Sequence, residues 1–245
     1  MENENLIIGR NAVREALKSG RAVDYVMVAK GDRKGAIAPI IAECRQRGII
    51  VKEADEKKLD YLSDHGNHQG IVMFAAAHEY ATVEDIFALA DEKGEKPFII
   101  ICDGLEDPHN LGAIVRTAEC AGAHGIIIPE RRSVTLSGSV GKAAAGALEY
   151  IPVARVHNLV NTIKELKDRG VWVYGADMDG KNYYESDLRG SIAIVIGSEG
   201  SGISRLVKEN CDGIVSIPMC GHINSLNAGV AAGVLMYEIN KQRNL

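Results

Sequence analysis

The runs Phe98-Ile-Ile-Ile-Cys102 and Ile192-Ala-Ile-Val-Ile196 are apolar at every position, and each runs straight into a polar, glycine-bearing cluster. A strand that is apolar on both faces has to be covered on both, the condition of a parallel sheet between helical layers. Around these two runs the C-terminal two-thirds of the chain alternates regularly. Strands are predicted over 98–103, 125–129, 150–156, 171–176, 191–197 and 213–218, and helices over 111–121, 139–148, 159–169, 204–210 and 225–241. That alternation specifies an α/β fold built on a parallel sheet. Residues 5–75 read as a second, smaller α/β unit, with helices over 11–18, 37–47 and 55–63 and strands over 25–29, 49–53 and 70–75. The apolar pattern breaks over 75–82, before a helix over 83–90. The domain reading is therefore an N-terminal domain over 1–76, a linker and first helix over 77–96, and a main domain over 97–245.

Three polar clusters stand at the carboxyl ends of predicted strands, where open α/β sheets bind their ligands. They are Asp103 to Gly122, Gly197 to Ser204, and Ile217 to Val234. Gly197-Ser-Glu-Gly-Ser-Gly202 spaces its glycines G-x-x-G-x-G, the reverse of the dinucleotide fingerprint, and there is no G-x-x-x-x-G-K-[ST] segment. Both absences argue against NAD and ATP folds. The glycines of 197–202 point to a backbone pressed closely onto a ligand, with plain turn formation as the alternative. Ile217 and Met219 offer apolar side chains and backbone groups to a flat base. Ser225 and Asn227 sit where a helix begins and its first N–H groups lack partners; the plainer reading is an N-cap serine followed by a loop asparagine. The helix after them carries Ala228, Gly229, Ala231, Ala232 and Gly233, so a partner subunit or the chain itself packs very closely there. Arg116 interrupts an apolar helix and needs a partner: either a salt bridge to Glu199 or Glu119, or an RNA phosphate.

Composition adds exclusions. The net charge of −5 argues against a protein that coats nucleic acid. The imbalance lies in residues 78–245, with 16 Lys+Arg against 22 Asp+Glu, while residues 1–77 hold 12 against 11. A local basic face can still bind RNA. The five cysteines form no Cys-x-x-Cys pair and read as reduced thiols of a cytoplasmic protein. No export signal is legible at residues 1–5, no apolar stretch is long enough for a membrane span, and the histidines show no ligand spacing, so no metal is expected.

Together these residues resemble the SpoU/TrmH family of RNA ribose 2′-O-methyltransferases. The resemblance rests on an N-x-x-x-x-x-R block (Asn110 to Arg116), a G-x-E-G block (Gly197 to Gly200) and an S-L-N block (Ser225 to Asn227), in order and at strand ends. It covers residues 97–241. The N-terminal unit, with GRNAVREAL at its start and HQGIV over 68–72, is similar to the ribosomal-protein-like RNA-binding domain of one branch, which includes enzymes that methylate a guanosine ribose in 23S rRNA. One departure is Ala228-Gly229, where relatives often carry Val-Ser after the S-L-N block. The resemblance implies a deep C-terminal trefoil knot, which general topology rules would not suggest. It also implies a homodimer whose sites draw on both subunits, and S-adenosylmethionine as methyl donor. Asn110, Arg116, Glu199, Ser225 and Asn227 would form the catalytic group, with Glu199 orienting Arg116 or a helix-start N–H. Gly197, Ile217, Met219 and Leu226 would contact the cofactor. Arg10, Arg14, Arg33 and Lys34 are candidates for holding RNA phosphates, against a reading as solvated surface charge. The expected reaction is methyl transfer to a guanosine ribose in 23S rRNA. Its rivals are the same reaction on tRNA or on an rRNA adenosine, and a non-catalytic RNA-binding assembly factor.

Overall fold

The computed structural model describes residues 6–31 and 35–244, so residues 1–5 and two of the RNA-binding candidates, Arg33 and Lys34, lie outside the described part. The chain divides into two compact units, one ending at Glu79 and the other starting at Tyr80.

The first unit is a four-stranded mixed sheet with three helices. Its strands are β1 (Leu6–Ile8), β2 (Val23–Ala29), β3 (Ile50–Ala54) and β4 (Ile71–Ala75), in the order β1-β4-β2-β3. Only β2 and β3 are parallel; β4 runs antiparallel to both β1 and β2. The helices are α1 (Arg10–Lys18), α2 (Ala38–Gln46) and α3 (Glu56–Leu62). Strand β1 escapes the sequence reading because three residues are too few to show a period. Val13, Ala16 and Leu17 of α1 are buried as their spacing requires, against Ile40 and Cys44 of α2 and Met73 of β4.

The second unit is a six-stranded sheet in which every neighbouring pair is parallel. After α4 (Val83–Lys93) come β5 (Phe98–Asp103), α5 (Pro108–Cys120), β6 (Gly125–Pro129), α6 (Gly138–Ala144), β7 (Val153–Val156) and α7 (Leu159–Asp168). The chain continues through β8 (Trp172–Asn182), β9 (Ile192–Gly197), α8 (Arg205–Asn210), β10 (Gly213–Ser216) and α9 (Ala228–Arg243). The sheet order is β10-β8-β9-β5-β6-β7. Period-two alternation sends Phe98, Ile100 and Cys102 of β5 to the face covered by α5, α6 and α9, while Ile99 and Ile101 meet α4, α7 and α8. All five are fully buried, which is why the run shows no polar position.

Several boundaries differ from the sequence reading. Helix α6 stops at Ala144 because Ala145 and Gly146 turn left-handed, at φ 50° and 90°. A 3-10 turn then takes up Ala147–Glu149, so β7 starts only at Val153. Strand β8 runs six residues past its expected end at 176, alongside β10, whose register against it shifts between Ile214 and Val215. Gly180 makes that possible, since a Cβ there would lie 2.5 Å from the Val215 carbonyl carbon.

Candidate functional site

Strands β5 and β9 lie side by side, with Asp103 paired to Gly197, so the loops that follow them leave the sheet together. They flank the point where the strand order reverses, with β6 and β7 to one side of β5 and β9, β8 and β10 to the other, the place where such sheets bind ligands. The loop after β5 turns at Gly104 (φ 79°) and buries Leu105. Asp107 then caps α5, accepting from the His109 N–H at 2.8 Å, with Pro108 in the first helical turn. The loop after β9 folds back on itself: Ser198 and Gly202 form a two-residue antiparallel bridge, and the Ser204 N–H donates to Asp103 at 2.7 Å. A Cβ on Gly197 would meet the Gly202 carbonyl carbon at 2.1 Å. At Gly197 the close backbone approach is made to the chain itself.

Three residues from the three separate blocks meet here. The Asn110 amide, buried in α5, donates to Glu199 Oε1. The Asn227 amide donates to the same oxygen at 3.0 Å and to Asn110 Oδ1 at 2.9 Å. Asn227 Oδ1 in turn accepts from the N–H groups of Gly229 and Val230, at 3.0 and 3.3 Å. Asn227, not Ser225, is thus the N-cap of α9, and the helix begins at Ala228 rather than at 225. Bonds to an ionised carboxylate are stronger than neutral ones, so Glu199 locks α5 and α9 to the loop after β9.

Beside this cluster lies a cavity of about 420 Å³, within the size range of small-molecule sites. All four residues expected at a cofactor (Gly197, Ile217, Met219 and Leu226) line it, together with Ser225 and Glu199. Its wall also takes in Ala176, Asp177 and Met178 from the far half of β8. Sequence reasoning ended that strand at 176 and so missed Asp177 and Met178. Asp177 holds Lys208 at 3.0 Å, and that bond raises the lysine's pKa. The core thiol of Cys102, directly under the site, is pushed up to about 12 by burial and then by Asp103, which keeps it a thiol.

Arg116 stands apart. It lies six residues beyond Asn110 on α5, about 9 Å along the axis, and on a different face. It is exposed and pairs with neither Glu199 nor Glu119; among the described residues it has no partner. This corrects the expectation that Glu199 orients it. Around it the outer stripe of α5 (Ala113, Arg116, Thr117, Cys120) runs next to that of α9 (Val230, Gly233, Val234, Tyr237). The small residues allow this: a Cβ on Gly229 would sit 3.5 Å from Ala113, and one on Gly233 3.7 Å from Thr117. The close packing foreseen for this glycine-rich helix is made by the chain itself. Val230 and Tyr237 nonetheless stay more than half exposed.

In the first unit, Arg10 donates from Nε to the Gln69 carbonyl at 2.8 Å, and Arg14 donates to the Ala36 carbonyl at 3.3 Å. Both hold loops in place. Among the described residues no group of three or more His, Cys, Asp or Glu is gathered as for a metal ion, and no helix is long and apolar enough to cross a membrane.

Comparison with known proteins agrees with this arrangement. Residues 97–237 match the SpoU rRNA Methylase family, and residues 6–81 match the domain described as RNA 2′-O ribose methyltransferase substrate binding. A Bacillus subtilis protein, YacO, assigned to the TrmH family of tRNA/rRNA methyltransferases, is 48% identical over 99% of this chain and 98% of its own. An AdoMet-bound rRNA methyltransferase from Sinorhizobium meliloti is 25% identical, with a TM-score of 0.59 over 96% of this chain and 86% of that one. The SpoU methyltransferase AviRb of Streptomyces viridochromogenes, solved with AdoMet, shares the fold at 22% identity, with a TM-score of 0.61 over 97% of this chain and 89% of that one. The chain belongs to the SpoU/TrmH family and is an RNA 2′-O-ribose methyltransferase.

Proposed function

We propose that this enzyme transfers a methyl group from S-adenosylmethionine to the ribose 2′-hydroxyl of a specific guanosine in 23S rRNA. The observation that carries the reading is the Asn110–Glu199–Asn227 cluster at the mouth of the cavity, which joins all three sequence blocks at one ligand edge. The cavity suits S-adenosylmethionine in size and lining: Ile217, Met219 and Leu226 supply apolar contact for a base, and the backbone of 197–202 supplies polar groups. That two structural relatives were solved with AdoMet supports the same choice. When bound, S-adenosylmethionine supplies an electrophilic methyl group, so the protein's own task is alignment and removal of the hydroxyl proton.

Glu199 and the two asparagines fix the loop that shapes the cavity, and Ser225 faces the same space. Arg116 holds the phosphate next to the target ribose. A guanidinium, with a pKa above ~12, is a poor base but a strong, bidentate phosphate partner. Because Arg116 is exposed and does not line its own cavity, we infer a homodimer in which it serves the partner's site. The outward stripes of α5 and α9, with Arg116, Val230 and Tyr237 exposed, supply the contact face. The deep trefoil knot is part of the same reading. In its support, β10 lies at one end of the sheet while the α9 that follows it packs on α5, behind the central strands. Arg10, Arg14, Arg33 and Lys34 are assigned to the RNA backbone, and the cytoplasm is the compartment where that substrate lies.

Tritiated methyl transfer to unmodified 23S rRNA and to bulk tRNA, followed by mapping of the labelled ribose, tests the assignment. A single 2′-O-methylguanosine in 23S rRNA is expected. Label confined to tRNA would replace it with the second reading, which the tRNA/rRNA assignment of the Bacillus relative keeps open.

A further inference from the structure

The catalytic unit is net acidic, so an RNA strand at its ligand edge needs cations that carboxylates have not already taken. Lys167, Arg169, Arg189, Arg205 and Lys208 are each bound to an Asp or Glu. Arg243 is spent on the main-chain carbonyls of Lys96 and Gly190. Of the cations without a partner among the described residues, Arg116 lies on the outer stripe of α5, Lys142 in the last turn of α6 and Lys164 in the middle of α7, while Lys93 and Lys96 precede β5 at the opposite edge of the sheet. Lys181 is the penultimate residue of β8, on the far side of β9 and β5 from β6. Arg131 and Arg132 remain, both exposed, in the loop that leaves the carboxyl end of β6.

That loop is held in a defined shape. Arg132 is a non-glycine residue in the left-handed region, at φ 56°, a conformation that costs energy and persists only where its surroundings enforce it. The enforcing bonds are the Val134 N–H to the Leu105 carbonyl at 2.8 Å and the Leu136 N–H to the Tyr80 hydroxyl at 3.0 Å. Gly104 lies between two neighbours: a Cβ on it would be 3.8 Å from the Arg132 carbonyl oxygen and 3.8 Å from Ser198 Cβ. The arginine loop is therefore one residue's width from the loop that carries Glu199. The nearest carboxylate in sequence, Glu130, is held by His157 Nδ1 at 2.9 Å.

We propose that Arg131 and Arg132 grip phosphodiester groups of the RNA strand beside the reacting ribose, as positioning residues of this subunit's own site. The inference rests on RNA being the substrate and adds a contact that neither Arg116 nor the N-terminal domain supplies.

The test compares wild type with the full-length double variant Arg131→Gln/Arg132→Gln, using unmodified rRNA transcribed in vitro as the probe and titrating binding against salt. The expected result is an RNA affinity about tenfold weaker and a salt slope shallower by about 1.5, since each phosphate contact contributes about 0.7–0.9. S-adenosylmethionine affinity stays at the wild-type value, and Arg131→Lys/Arg132→Lys recovers the slope, as a purely structural role would not allow. An unchanged slope and affinity in the glutamine variant would overturn the proposal. So would loss of RNA and S-adenosylmethionine binding together in both variants. Wild type that binds rRNA with this slope but methylates nothing would refute the methylation reading alone, because the slope comparison does not depend on turnover.

Discussion

Asn227 does two jobs with one side chain: its carbonyl oxygen caps α9 and its amide group reaches Glu199 and Asn110. The two can be separated. Asn227→Ser keeps a residue equally good at capping but too short to bridge to Glu199. Thermal unfolding of this variant should differ from wild type by no more than about 1 kcal/mol, while methyl transfer falls about a hundredfold through lost alignment. Parallel loss of stability and activity would instead assign Asn227 a purely structural role. On the opposite edge of the sheet, His124 is fully buried with Nδ1 accepting from the Phe98 N–H at 3.0 Å. Its Nε2 lies 3.3 Å from Glu95 Oε2 but makes no hydrogen bond. Burial lowers its pKa, and Lys93 and Arg243 add to this against the opposing pull of Glu95. The neutral ring is thus the folded form. As pH falls through 6.5 the unfolded chain takes up the proton first, so stability declines with falling pH until the lower folded-state pKa is passed. Urea midpoints between pH 7 and pH 5 should show this decline. His124→Leu should flatten that part of the profile while costing about 1–3 kcal/mol at pH 7 for the Phe98 N–H left without an acceptor.

At the scale of elements, what was legible in the sequence followed from burial. Strands such as β5 and β9 show themselves because two covered faces exclude polar residues, and α5 because its apolar positions keep helical spacing. What was not legible depends on distant partners. Glu199 looked like a partner for Arg116 because both are charged, yet its bonds go to two amides 89 and 28 residues away. The far half of β8, with its wall of the cavity, is polar because it lies at the sheet's rim, and nothing local marks it as strand. Ser225 is as good a capping residue as Asn227, so only the fold decides between them. Packing between helices gives a sharper test. Gly112 of α5 faces α6, and a Cβ there would lie 2.4 Å from Ala143 Cβ and 2.9 Å from the Val140 carbonyl oxygen. Helix propensity alone makes Gly112→Ala favourable by about 1 kcal/mol. The clash should reverse the sign, leaving a net destabilisation of about 1–3 kcal/mol in chemical denaturation. A stabilised variant would mean that α6 gives way freely.

For the whole molecule, the proposed dimer makes the two-helix face of α5 and α9 its contact. Val230 and Tyr237 are about half exposed on it. Val230→Asp/Tyr237→Lys should shift sedimentation from dimer to monomer and abolish methyl transfer without altering S-adenosylmethionine binding, because neither residue lines the cavity. A monomeric variant with full activity would show that each chain works alone. The central claim is that one methyl-transfer site combines the Asn110–Glu199–Asn227 cluster of one subunit with Arg116 of another. Subunit complementation tests it most directly. Arg116→Ala and Glu199→Ala chains, each inactive alone, are unfolded together in equal amounts, refolded, and assayed for methyl transfer. Random pairing gives hybrids in half of the dimers, each with one complete site, so about a quarter of wild-type activity should return. If the mixture is as inactive as its components although hybrid dimers have formed, Arg116 serves its own subunit and the shared site is wrong.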